Sequence, residues 1–463
     1  MKRINFKKIS ILLILPFLLF SCEKWIDPDI NVDPNNPAEV SVDLLLPTVQ
    51  VEIAYQLGGD VTRPNCMWVQ HLSGVSRQSL SYERFTYRDS DVNNLWYYAL
   101  YPSALMNCHI IIQKAAEEGS PHYAGVAKVL MAYTLGIMTD VWGDLPYSEA
   151  FQGADQLKPA FDSQAQIYAA IHTLLDEAMA DLQVEEEGSV MSPGSDDLMY
   201  GGDRDLWLKA AYSIKARYSL HLSKKNGNAA YTDALEYLAN GFTDNSENLV
   251  FHFGSNNLEE NPTYQFDRDR GDIRIGAKIV DMMAANNDPR MAHYFAPDDE
   301  GGFSGSPPGG AILSASAVGP YYASANSPVP FMTYVELLYI KAEALLETGD
   351  NAGAIEAYNQ ALEASLNKFG VFDQAWYDAN KFTGATIDLE TIMWGKYVSL
   401  FLQPEVYVDM RRTNMMNTDY FTLPDDASLS TFPRRWPYAS SEKAYNGANV
   451  PGVSLTDRLW WDE

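Results

Sequence analysis

The stretch that decides the fold runs from Tyr334 to Ser365, "YVELLYIKAEALLETGDNAGAIEAYNQALEAS". Two amphipathic helical patterns flank "TGD", a turn sequence. The 34-residue tetratricopeptide motif needs small residues where its two helices cross and large ones in the gaps between them. Ala342, Ala354 and Ala361 fall on the small positions, and Leu345 and Tyr358 on two of the large ones. Lys341 stands where a leucine is usual, and the terminal proline is missing. Weaker copies lie at 124–182, where Leu135-Gly136 precedes "WGDLPY", and at 210–240, where "KKNGN" lengthens the turn. Divergent repeats of this kind stack into a curved solenoid.

Other helical patterns fit the same frame. Ser163 and Gln166 form a capping box ahead of Ile167, Ile171, Leu174, Ala178 and Leu182, which line one face. Residues 205–222 and 230–240 read as a further pair, and one more helix is expected over 388–412. Strand-like runs such as "NLVFHF" are few. The expectation is a mainly α fold of about four tetratricopeptide-like repeats, within about 96–240 and 331–415, with a loop-rich subdomain packed on the solenoid. Two blocks do not fit the repeats, 57–95 and 242–330. Long loops inside a compact chain are often functional, so these are the expected binding regions.

The N-terminus reads as an export signal. Lys2, Arg3, Lys7 and Lys8 precede an apolar run from Ile11 to Phe20, which is too short to span a bilayer. Leu19-Phe20-Ser21-Cys22 resembles a bacterial lipobox, which makes 1–21 a lipoprotein signal peptide and Cys22 a lipid anchor. No later segment is expected to span. Residues 22–47, with "DPDINVDPNNPAEV", read as an extended leader at the start of a single domain, 22–463. The alternating Asp27, Asp29, Asn31 and Asp33 lack the glycine and bidentate glutamate of a calcium loop, so no metal is expected. Of the two remaining cysteines, Cys66 and Cys108, the expectation is buried thiols rather than a disulfide.

The chain of 463 residues carries a net charge of −28, which argues against nucleic acid as a partner. No metalloprotease, P-loop, dinucleotide or nucleophile-elbow motif occurs, and 61 acids make paired carboxylates uninformative. No cofactor is implied and no enzyme is expected. His172, within the Ser163 helix, and Trp142 are assigned to packing. With 28 tyrosines and ten tryptophans, aromatic loops are the stronger lead. Trp68, Tyr82, Phe85 and Tyr87 alternate with Arg77 and other polar residues, and Tyr321-Tyr322 follows Gly319-Pro320. Flat apolar rings beside hydrogen-bonding groups suit a sugar, which has C–H faces and a polar rim. Trp68, Arg77, Tyr82, Phe85, Tyr87, Tyr321 and Tyr322 are therefore the candidate ligand-binding residues.

The lipobox cysteine, "DPNNP", "TDVWGDLPYSEAF", the repeat helices, "NNDPRMAHYF", "VDMRRT" and "PRRWPYASSEKAYN" together resemble SusD/RagB-type outer-membrane lipoproteins of Bacteroidetes. The resemblance implies a surface lipoprotein partnered with a SusC-like TonB-dependent transporter. Its ligand would be a glycan, or in some relatives a peptide, captured without turnover. It does not transfer binding residues. The alternative is a repeat scaffold that binds only protein partners.

Overall fold

The computed structural model describes residues 40–463. The expected signal peptide, Cys22 and most of the leader lie outside them. The leader is shorter than expected at its other end, because helix α1 begins at Val42 (Val42–Leu57). The 57–95 block is likewise less loop-like than its composition suggests. It contains α2 (Thr62–Trp68), a short strand β1 (Leu72–Gly74) and α3 (Arg77–Glu83). A π-helical segment, Leu95–Leu105, then runs directly into α4 (Met106–Glu118).

The solenoid begins at α5 (Pro121–Trp142), which packs on α6 (Gln164–Leu182). The capping box is present, with both the Ser163 and the Gln166 side chains engaged. Next come α7 (Arg204–His221) and α8 (Asn228–Leu238), then, after the second irregular block, α9 (Tyr334–Glu347) and α10 (Asn351–Lys368). Each helix packs on its successor, α6 on α7, α7 on α8, α8 on α9, α9 on α10. Ala342, Ala354 and Ala361 are fully buried, so the small-residue reading of the crossing holds. Asp350 caps α10 by accepting from the Gly353 amide at 2.9 Å, and Gly349 takes the left-handed turn with φ 93°.

The helix expected over 388–412 is two helices, α11 (Leu389–Ser399) and α12 (Glu405–Arg412). Leu402 adopts φ 58° and Pro404 has no amide to donate, so the helical ladder cannot pass between them. Gly395 on α11 allows the close approach of Tyr358 from α10, whose ring a Cβ would meet at 2.5 Å.

Among the described residues, α5 is long and apolar enough to cross a membrane, contrary to the expectation that no later segment is. Its apolar window is nearly all buried in the protein, so it serves as the core helix of the solenoid. The 242–330 block holds only short elements. Strand β2 (Leu249–His252) pairs antiparallel with β4 (Pro328–Met332), and β1 with β3 (Ile273–Ile275).

Buried ion pairs lock the repeats together. Arg217 on α7 holds Glu336 on α9 at 2.6 Å, and Arg412 on α12 grips Glu343 on α9 and Asp409. Lys396 reaches Asp409 at 2.6 Å. His221 sits between Glu405, at 2.7 Å from Nε2, and Asp140, at 3.3 Å from Nδ1. Burial pulls its pKa down, but the two carboxylates more than offset that and raise it to about 9. Burial likewise works against ionised Glu405, yet His221 and Arg217 hold its carboxyl down at about 2. Cys66 and Cys108 are both free and buried, and burial pushes both thiols up.

Candidate functional site

The two aromatic blocks that the sequence nominates do not form a platform. Trp68, Phe85, Tyr87 and Tyr322 are buried, Trp68 to 1% exposure. Trp68 packs edge-on against Tyr87 and Tyr407, and its Nε1 donates to the Tyr82 carbonyl at 3.0 Å. Phe85, at φ 64°, lies against Phe432, and Tyr322 against Tyr294 and Phe401. Trp68, Phe85 and Tyr87 close the seam between the first loop block and the C-terminal segment, and Tyr322 belongs to the interior cluster around Tyr294 and Phe401, so none can stack on a ligand as it stands. Tyr82 and Tyr321 are half-buried, and Arg77 is exposed but paired with Asp272 at 2.6 Å. Only these three of the seven nominated side chains reach the surface. His172 is half-buried, and burial pulls its pKa down to about 4, which fits an uncharged packing residue. Trp142 is fully buried, and its indole donates to the Pro437 carbonyl.

A surface that does present adjoining aromatic faces beside a cleft lies on the π-helical segment. "LWYYALYPSAL" (95–105) places Trp96, Tyr97 and Tyr98 in succession, with Pro102 inside the helix. Proline contributes no backbone donor to the ladder, and the Ser103 hydroxyl donates to the Tyr98 carbonyl at 2.9 Å. Widened π turns recur at functional sites. Here Trp96 turns inward onto Trp142, with ring centroids 5.1 Å apart. Tyr97 and Tyr98 point outward, 49% and 64% exposed, with rings at 4.9 Å and nearly perpendicular.

They stand on a cleft of about 610 Å³ whose walls include Tyr101, Phe151 and Leu157, the last 76% exposed. Tyr101 is fixed by donating to the Pro146 carbonyl, and Phe151 stacks on His109. Gln152 and Gln156 supply amides to the lining, and Glu442 a carboxylate that accepts from the Trp96 indole at 3.3 Å. The size suits a few sugar rings, and the mixture is apolar faces with sparse polar groups. A run of large side chains on a mobile surface would be a poor platform, but these are anchored on a helix whose inner face is core.

Known proteins share this architecture. The profile of a SusD-like family, described as starch-binding and associating with the outer membrane, matches residues 34–438, and the chain belongs to that family. The fold is shared with a crystal structure of a SusD/RagB family protein from Bacteroides thetaiotaomicron, 26% identical, with TM-score 0.74 over 92% of this chain and 99% of that one. A chitin-binding SusD homologue from Flavobacterium johnsoniae is 21% identical, with TM-score 0.76 over 91% of this chain and 97% of its own. No curated protein matches.

Proposed function

We propose that the protein is a lipid-anchored outer-membrane subunit that captures a glycan and hands it to a SusC-like TonB-dependent transporter. In this reading residues 1–21 are removed, Cys22 carries the lipid, and 22–463 works as one unit facing the cell surface. The protein binds and does not turn over its ligand. The observation that carries the reading is the outward tyrosine pair over the 610 Å³ cleft, in a chain of a starch-binding family. Rings held edge to face leave two differently tilted planes, on which successive sugar residues of a curved chain can rest.

The test is calorimetric titration of the mature protein with neutral maltooligosaccharides and chitooligosaccharides. Tyr98→Ala and Tyr97→Ala should each weaken binding about tenfold or more, while the ligand is recovered unchanged. Undiminished affinity in both variants removes this cleft as the site, and release of shortened products refutes capture without turnover. For the anchor, Cys22→Ala should move the protein from the membrane fraction to the soluble fraction. For the partner, the transporter should co-purify with the detergent-extracted protein.

A further inference from the structure

A second cleft, of about 440 Å³, shares no lining residue with the tyrosine cleft. It lies between the β2–β4 pair, the turn Asn245–Glu247 and the last turn of α10, and Tyr321 and Lys368 face it. Three features of its wall offer contacts to a ligand. The Lys368 ammonium rests over the rings of Tyr321 and Phe369, 5.5 and 5.3 Å from their centroids, with no carboxylate partner among the described residues. The acids of the adjoining turn are committed elsewhere, Asp244 to Ser246, and Glu247 to Lys209 and Thr243. Burial without a compensating charge lowers the Lys368 pKa to about 8. In a chain of net charge −28, a half-buried lysine left without an acid can still donate to an anionic group.

The second feature is an acceptor. Asn245 spends its amide N–H on the Ala364 carbonyl at 2.8 Å, and its buried Oδ1 has no donor. An unmatched buried acceptor costs about 1–3 kcal/mol, which a ligand hydroxyl can recover. The third is the Tyr321 ring, half-buried and turned to the cleft. A carboxylate, a neighbouring hydroxyl and an apolar ring face coincide in a uronic acid. An acidic peptide offers the carboxylate and N–H donors but no C–H ring face for the tyrosine.

We infer that this cleft is a second binding site, one that takes an acidic saccharide, its carboxylate on Lys368, a hydroxyl on Asn245 and its ring on Tyr321. It goes beyond the neutral capture site at Tyr97 and Tyr98, although it rests on the same reading of the protein as a glycan binder. A charge-assisted hydrogen bond in a partly desolvated cleft sets the expected preference at about tenfold or more.

The experiment is calorimetric titration of the full mature protein with tetragalacturonate and tetraglucuronate, and with their methyl esters, which keep the shape and lose the charge. At least one acid should bind about tenfold or more tightly than its ester. Lys368→Met should abolish that difference, and Tyr98→Ala should leave it intact. Equal affinity of both acids and their esters, no binding of either acid, or a preference surviving in Lys368→Met overturns the proposal. Hexaglutamate bound through Lys368 as tightly as the uronates overturns the saccharide assignment. Because the neutral oligosaccharides report on Tyr97 and Tyr98, failure of one site is distinguishable from failure of the other.

Discussion

Replacing His221 with glutamine should give a stability loss that disappears as the pH is raised. His221 is fully buried and bridges Glu405 and Asp140, and its Nδ1 also lies 3.0 Å from the Tyr168 hydroxyl oxygen, whose own proton goes to Asp140. Its pKa stands at about 9 in the folded protein against 6.5 for the free side chain. The folded value is the higher, so the charged imidazolium stabilises fully below pH 6.5. That contribution drains away as pH rises through 9, and it amounts to roughly 3 kcal/mol. Glutamine keeps some hydrogen-bonding capacity but supplies no charge, leaving two buried carboxylates facing it. Breaking a buried pair costs about 3–5 kcal/mol, consistent with the same scale. The assay is urea unfolding at 25 °C from pH 6.0 to 9.5, followed by circular dichroism, for both proteins. Taking the difference between them cancels the titrations they share, including that of Lys368. The gap should be largest near pH 6 and shrink by roughly 3 kcal/mol by pH 9.5. A gap that stays constant with pH refutes the charged imidazolium.

Three further outcomes follow from the packing. Trp68→Ala should lower stability by about 3–5 kcal/mol, read from the urea midpoint, while leaving glycan affinity per folded molecule unchanged, because Trp68 is core. Gly136→Ala should destabilise by about 1–3 kcal/mol despite alanine's better helix propensity, since the new Cβ meets the Tyr218 ring, itself held by a bond from its hydroxyl to the Tyr133 carbonyl. Cys66 and Cys108 should resist a thiol reagent in the native protein and react as two thiols per chain once it is unfolded, apart from Cys22; a non-reducing mass showing a disulfide would contradict the buried, separate thiols.

The repeat fold was legible at 334–365 because a helix crossing is a steric demand that sequence records directly, in alanines at three fixed positions. The break at 400–404 was not, because it depends on a left-handed Leu402, a conformation that leucine does not advertise. The aromatic loops misled for a different reason. Hydrophobicity alternating with charge in a loop does not say which side is core, and here the C-terminal segment folds back over the rings. Trp436 bonds Asn65 beside Trp68, and Phe432 covers Phe85. That return is a long-range fact, invisible to any local window. The tyrosine platform, by contrast, left a usable signal. Consecutive residues turn about 100° in an α-helix and less in a π-helix, and even so Trp96, Tyr97 and Tyr98 together span more than the roughly 100° of a core-facing stripe. At least one of the three had to face outward.

The segments that carry the family resemblance serve the scaffold for the most part. In "VDMRRT", Asp409 and Arg412 belong to the buried ion network, and Arg411 donates to the carbonyls of Arg434 and Asp140. In "PRRWPY", Arg434 pairs with Asp462, and Trp436 sits edge-on to Trp142 of "VWGD". Each is a charged or aromatic side chain that is tolerable in the interior only with its partners in place, which ties several distant positions to one another. The tyrosines of the open cleft carry no such obligation, since nothing else in the fold needs Tyr97 or Tyr98 as the support that Trp96 gives Trp142. The resemblance therefore reports the solenoid and its locks and is nearly silent about the ligand. Substrate preference in this chain has to be read from side chains that the scaffold leaves free, which is why the two clefts, and not the recurring motifs, are the places to test it.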